Sequence, residues 1–247
     1  MNTRAVADAT RSWIGRFVVR EGLCPFASAS RVLVEVDTFG IDADEGCRSR
    51  RDYRNWRLDP LHSAEDAELA LAALGRAEHW IDRLLSHDTA AHASSNLFIV
   101  WPVGVADPST YQSLAAALAS RAGLQLAGTT GEGSYVPAVM FPFHPTMQWS
   151  RDAVACASAS GHEDFRFASP FPMVHVIPQS ELGRARRRLK LKKAAGGICL
   201  QERNSSRMQE ASEADRSRWQ GLLAQCREAT TSSSTCTSSA AAEGTRA

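Results

Sequence analysis

Apolar and polar positions recur along this chain with two periods, and the switches between them divide it into elements. Trp13, Ile14, Phe17 and Val18 fall at helical spacing. Thr10 or Ser12 is placed to cap them and Gly22 to stop them, so residues 10–22 read as a helix behind a flexible stretch over 1–9. Arg31–Val36 is short and β-branched, a strand. From Ser63 to Ser86 a stripe of Leu69, Ala73, Ala77, Trp80, Ile81 and Leu84 follows a capping-box-like Ser63 and Asp66. His79 and His87 lie off that stripe and read as surface residues. Asn96–Val100 is a second strand, closed by Trp101-Pro102. Asp107-Pro108 opens a helix that Gly123 ends after about Arg121. Tyr135–Phe143 and residues 172–177 are strands bracketed by prolines. Ser180 caps a basic helix over 181–193, and Glu202-Arg203-Asn204 begins a last one to about Arg227.

Two stretches have no period. Residues 37–62 read as an inserted surface loop, and 229–247, rich in Ser, Thr and Ala, as a disordered tail. The pattern predicts an α+β fold: one domain over 10–207 with a mixed sheet of about four strands flanked by helices, then a C-terminal helix over 208–228.

Composition narrows the class. The 247 residues are 44% hydrophobic and carry a net charge of +1, which suits a globular protein and gives no global basic field for nucleic acid. No apolar run approaches the ~20 residues of a membrane span, so no membrane partner is expected. Arg4, Asp8, Arg11 and Arg16 interrupt any apolar signal core. The six cysteines, Cys24, Cys47, Cys156, Cys199, Cys226 and Cys236, form no CxxC pair, so they read as reduced thiols of a cytoplasmic protein. Organellar import through a short basic leader is the alternative, although such a leader would overlap the first helix.

Three side chains carry the candidate chemistry: Cys24, just past the first helix; His144, at the exit of the Tyr135–Phe143 strand; and His175, inside the strand after it, facing opposite to Val174 and Val176. A thiol and an imidazole brought within hydrogen-bond reach make an activated nucleophile. Against this, Cys24 follows a helix C-terminus, whose partial negative charge disfavours a thiolate, and a cysteine between Leu23 and Phe26 packs equally well as a small hydrophobe. Ser169, Phe171, Arg203 and Asn204 are placed to shape a rim that binds substrate, a small molecule. Three functions stay open. One is an enzyme using Cys24 and a histidine for acyl or thiol chemistry. The second is metal or haem ligation, since Cys-His-His is a known donor set and Cys24-Pro25 resembles a haem-binding dipeptide. The third is a non-catalytic domain whose basic helix contacts an anionic partner. The identity of any cofactor and the oligomeric state are left open. Thr129–Ser134 lacks the spacing and lysine of a P-loop, and no nucleophile elbow supports a Ser-His-Asp site.

Leu23-Cys24-Pro25-Phe26-Ala27, Phe143-His144-Pro145, Ser169-Pro170-Phe171-Pro172 followed by His175, and Glu202-Arg203-Asn204 stand in that order, and together they resemble the family catalogued as domain of unknown function 1415. The resemblance spans about residues 10–207 and implies a compact α+β domain; the family supplies no activity to carry over. Ala168 stands where that pattern has arginine, and Pro178-Gln179 where it has Leu-Arg-Glu.

Overall fold

A computed structural model of the chain describes residues 2–24, 31–39, 64–86, 95–105, 107–127, 136–145, 168–184, 187, 204, 206–208 and 210–232. The first helix, α1 (Thr3–Trp13), starts at the second residue: Asn2 Oδ1 accepts from the backbone N–H groups of Arg4 and Ala5 at 3.0 and 3.2 Å. This corrects the flexible stretch expected over 1–9. Val6, Ala7, Ala9 and Trp13 are already on the buried face, and Thr10 is no cap, since its hydroxyl donates to Val6 O one turn back at 2.9 Å. The helix continues as a π-helical stretch, Ile14–Val19.

β1 (Arg31–Val36) leads through α2 (Ala64–Ser86) to β2 (Ser95–Val100). Asp37, Thr38 and Phe39 are buried, so the first three residues of the expected surface loop belong to the core; the rest of that loop lies outside the described residues. Asp37 anchors them by pairing with Arg76 of α2 at 2.9 and 3.0 Å and accepting from Phe39 N at 2.6 Å. Phe39 adopts φ +59°, a conformation that costs a non-glycine residue about 1 kcal/mol or more and that these contacts and complete burial hold in place.

α3 (Pro108–Arg121) begins as expected, with Asp107 as cap and proline in the first turn, and ends at Gly123, φ +62°. A two-residue strand, β3 (Gln125–Leu126), β4 (Ala138–Phe143) and β5 (Met173–Pro178) complete a five-stranded sheet of order β1-β2-β5-β4-β3. β1 runs parallel to β2 and β3 parallel to β4; β5, last in sequence, fills the centre antiparallel to both neighbours. Pro142 is tolerated in β4 because its nitrogen faces the β3 side, where pairing reaches only Val139 and Met140.

Helices cover both faces. Leu97, Ile99, Met140, Val174 and Val176 point to α2 and α3 and share one cluster with Leu118 of α3 and with Trp101. Phe98, Val100 and Met173 point the other way, to α1 and α4 (Glu213–Ser232), where Trp13, Phe17 and Trp219 pack edge to face and tilted. α4 is shorter at its start and longer at its end than the expected last helix. Ser212 and Asp215 form a reciprocal capping box that starts it afresh, and Thr230 is buried beyond the expected end. Glu21 ties α4 to the turn after α1, accepting from Arg207, Arg218 and Trp219 at 2.7, 2.8 and 3.2 Å. No described helix is long and apolar enough to cross a membrane. The fold is a single α+β domain, with one strand more than the pattern predicts.

Candidate functional site

Cys24 is placed by a helix stop. Leu23 N donates to Val18 O at 2.9 Å and Gly22 N to Val19 O at 3.0 Å, with Gly22 at φ +66°. These two bonds make a Schellman motif, and glycine takes its left-handed position without a Cβ clash. Asn204 Nδ2 then donates to Leu23 O at 2.7 Å, so the backbone just before the thiol is tied down from a segment 181 residues away. Cys24 itself is half-buried and reduced, packed against the α1 face of the sheet and against a smaller apolar cluster of Val139, Ile177, Leu182 and Phe141.

His175 lies opposite Phe98 on one side and Phe141 on the other. Its ring stacks on Phe98 with centroids 4.0 Å apart and planes 10° from parallel, and lies 6.4 Å from the Phe141 ring. Nε2 is 3.0 Å from Asn96 Oδ1, an oxygen that can only accept, so the imidazole donates there. The residue is 2% exposed, and burial pushes its pKa down to about 3, leaving it neutral at physiological pH.

His144 has a different setting. It follows β4, donates from Nε2 to Val105 O at 3.1 Å and lies 5.1 Å from the ring of Tyr111 of α3. Burial lowers its pKa; the Val105 carbonyl and Asp107 oppose that, and Arg227 adds to it. Tyr111 closes the adjoining sheet end: its hydroxyl donates to Met173 O at 2.6 Å and accepts from Phe143 N at 2.9 Å.

The three residues therefore do not share one neighbourhood. Cys24 packs on Val139 and Ile177, cross-strand partners in the first half of β4, on the face that also carries His175. His144 lies five residues beyond Val139, about 16 Å along an extended strand, against the α3 side. The expected rim also divides. Ser169, fully buried, donates to Phe171 O at 2.6 Å and so stabilises a turn. Phe171 is a core residue of the α1 face. Asn204 holds Leu23, and Arg203 lies outside the described residues.

The sequence reading missed Asn96. Its signal is a carboxamide opening an apolar strand, two residues before Phe98 and so on the same face. Among the described residues no three His, Cys, Asp or Glu side chains are grouped to hold a metal ion, and Pro25 of the haem-like dipeptide lies outside them. Of the basic helix expected over 181–193, residues 181–184 and 187 are described; helix already begins at Gln179, so Ser180 lies inside it and is not its cap, and Arg184 is paired with Glu181. No family model, curated protein or solved structure matches this chain.

Proposed function

We propose that the α1 face of the sheet carries a thiol-dependent acyl-transfer site, with Cys24 as nucleophile and His175 as proton acceptor. The observation that carries this reading is a shared sheet face: Cys24 packs against the cluster of Val139, Ile177 and Leu182, and His175 lies two residues before Ile177 on the same face of β5. The π-helical turn before Cys24 adds weight, because such turns recur at functional sites. In the reaction, Cys24 Sγ attacks the carbonyl carbon of a small activated ester or thioester. Its proton passes to His175 and from there to the departing alkoxide or thiolate. An S-acyl bond forms as the ester or thioester bond breaks, and water then releases the acid and restores the thiol. With its pKa held down by burial, His175 is a weak base, so on this reading the proton moves only in concert with sulfur attack and not in a step before it.

The test is intact-mass measurement after exposure to p-nitrophenyl acetate. One acetyl group mapped to Cys24 is expected, absent in Cys24→Ser and formed about a hundred-fold more slowly in His175→Gln. Acetylation elsewhere, or an unchanged rate in His175→Gln, rejects the assignment.

A second reading has its own support. His175 and Asn96 are both buried and bonded to each other, as a purely structural polar pair would be. On that reading the domain is a non-catalytic scaffold, and the cationic residues of 181–193 grip an anionic partner. Cys24→Ser would then change nothing but the thiol count.

A further inference from the structure

We infer that Asn96 is the positioning residue of this site, selecting the histidine tautomer that can take a proton from Cys24; the inference rests on the thiol reading above. Two contacts act on the ring of His175, and each removes a different freedom. Stacking on Phe98 at 4.0 Å fixes the plane of the imidazole. A half-turn about the Cβ–Cγ bond preserves that plane, so stacking alone leaves two ring orientations. The bond to Asn96 Oδ1 at 3.0 Å chooses between them, because only one puts Nε2 there. An accepting oxygen at Nε2 also requires that nitrogen to carry the hydrogen, and the lone pair then resides on Nδ1. A Cys-His pair oriented by a carboxamide is a known alternative to the Ser-His-Asp arrangement. Here the three members come from the end of the first helical segment, the start of β2 and the middle of β5.

The amide is suited to this position. Asn96 is fully buried, so a carboxylate there would carry a desolvation cost that a neutral amide avoids. The side chain also shares the face of Phe98, so one strand supplies both the stacking surface and the hydrogen-bond acceptor.

The full chain, labelled with 15N at histidine, tests this by two-bond 15N–1H correlation, which separates the tautomers by ring nitrogen shift. His175 is expected as the Nε2–H tautomer alone. In Asn96→Ala that single form is lost to a mixture, and in Asn96→Asp, which keeps an acceptor oxygen in place, it is retained. A wild-type Nδ1–H tautomer, or an unchanged tautomer in Asn96→Ala, overturns the inference; so does a mixture in Asn96→Asp if that protein shows wild-type backbone shifts. Acetylation of Cys24 is read on the same samples. A correct tautomer response with no acetyl transfer in any of them refutes the thiol reading and leaves Asn96 in a structural role only.

Discussion

Among the described residues two imidazoles lie buried, and their surroundings differ in kind. His144 stands beyond a strand end with a backbone carbonyl as its acceptor. His175 stands mid-sheet with a side-chain amide as its acceptor and an aromatic ring against its face. Burial lowers both pKa values, yet the Val105 carbonyl and Asp107 temper the effect at His144, whereas desolvation dominates at His175. A strand end gives a histidine local charge to lean on; a sheet interior gives it only what its packing partners carry. In the sequence both belong to proline-bracketed strands, one at an exit and one inside, and the structure separates them: His175 shares a face with the cluster that Cys24 packs against, and His144 does not.

The largest expected effect is on acid stability. His175 has a folded pKa of about 3 against an ordinary 6.5, so between those values the unfolded chain binds more protons. Its contribution is complete above pH 6.5 and is lost as pH falls toward 3, at up to about 1.4 kcal/mol per unit, or ~5 kcal/mol in all. Urea unfolding at a series of pH values should therefore show stability falling through this window. His175→Gln should flatten the curve more than His144→Gln. Equal flattening by the two would erase the distinction.

Next is the strand end beside His144. Tyr111→Phe removes the hydroxyl that bridges Phe143 N–H and Met173 C=O, leaving a half-buried N–H and a buried carbonyl without it. A loss of about 3 kcal/mol is expected, read as a lower urea midpoint at unchanged slope. A loss under about 1 kcal/mol would mean that water or a ladder bond replaces the hydroxyl.

Much of the scaffold around these two sites was legible locally. Gly22, Asp107-Pro108 and Gly123 act within one helical turn, and all three mark the ends where they were read. The strands showed themselves by β-branched and aromatic runs. What failed was local ambiguity or distance. Thr10 resembles a cap, yet inside a helix its hydroxyl turns back to Val6, so the true start at Asn2 was overlooked. β3 is too short to show a period. The central place of β5 depends on pairing with strands up to 79 residues away, as does the Asn96–His175 bond, and no local pattern encodes either. That is why the histidines could be named from sequence while their partners could not.

The acceptor difference itself predicts a smaller effect. No side-chain substitution can delete the carbonyl that His144 uses, but Asn96→Ala deletes the one His175 uses and leaves its N–H buried alone. A cost of about 2 kcal/mol is expected in urea unfolding. Asn96→Asp should not recover it, since its accepting oxygen comes with the desolvation cost of a buried carboxylate. A neutral Asn96→Ala would show that the ring finds another acceptor, and the two histidines would then be alike.

The smallest expected effect on stability, and the sharpest on chemistry, belongs to Cys24. Its position is set by the Schellman bonds at Gly22 and by Asn204 on Leu23 O, none of which involves the sulfur. Cys24→Ser should therefore change stability by less than about 1 kcal/mol. Cys226 gives the contrast: it is 4% exposed, its thiol donates to Ala9 O at 3.4 Å, and burial raises its pKa. In the folded protein iodoacetamide should label Cys24 well before Cys226, because the thiolate is the reacting form and burial withholds it. Peptide mapping of a time course reads both sites at once. Equal labelling would show that the half-buried thiol is no more accessible than a core cysteine. A Cys24→Ser protein that lost several kcal/mol would make packing the main role of the sulfur, and the face shared with His175 would then be a core surface instead of a site.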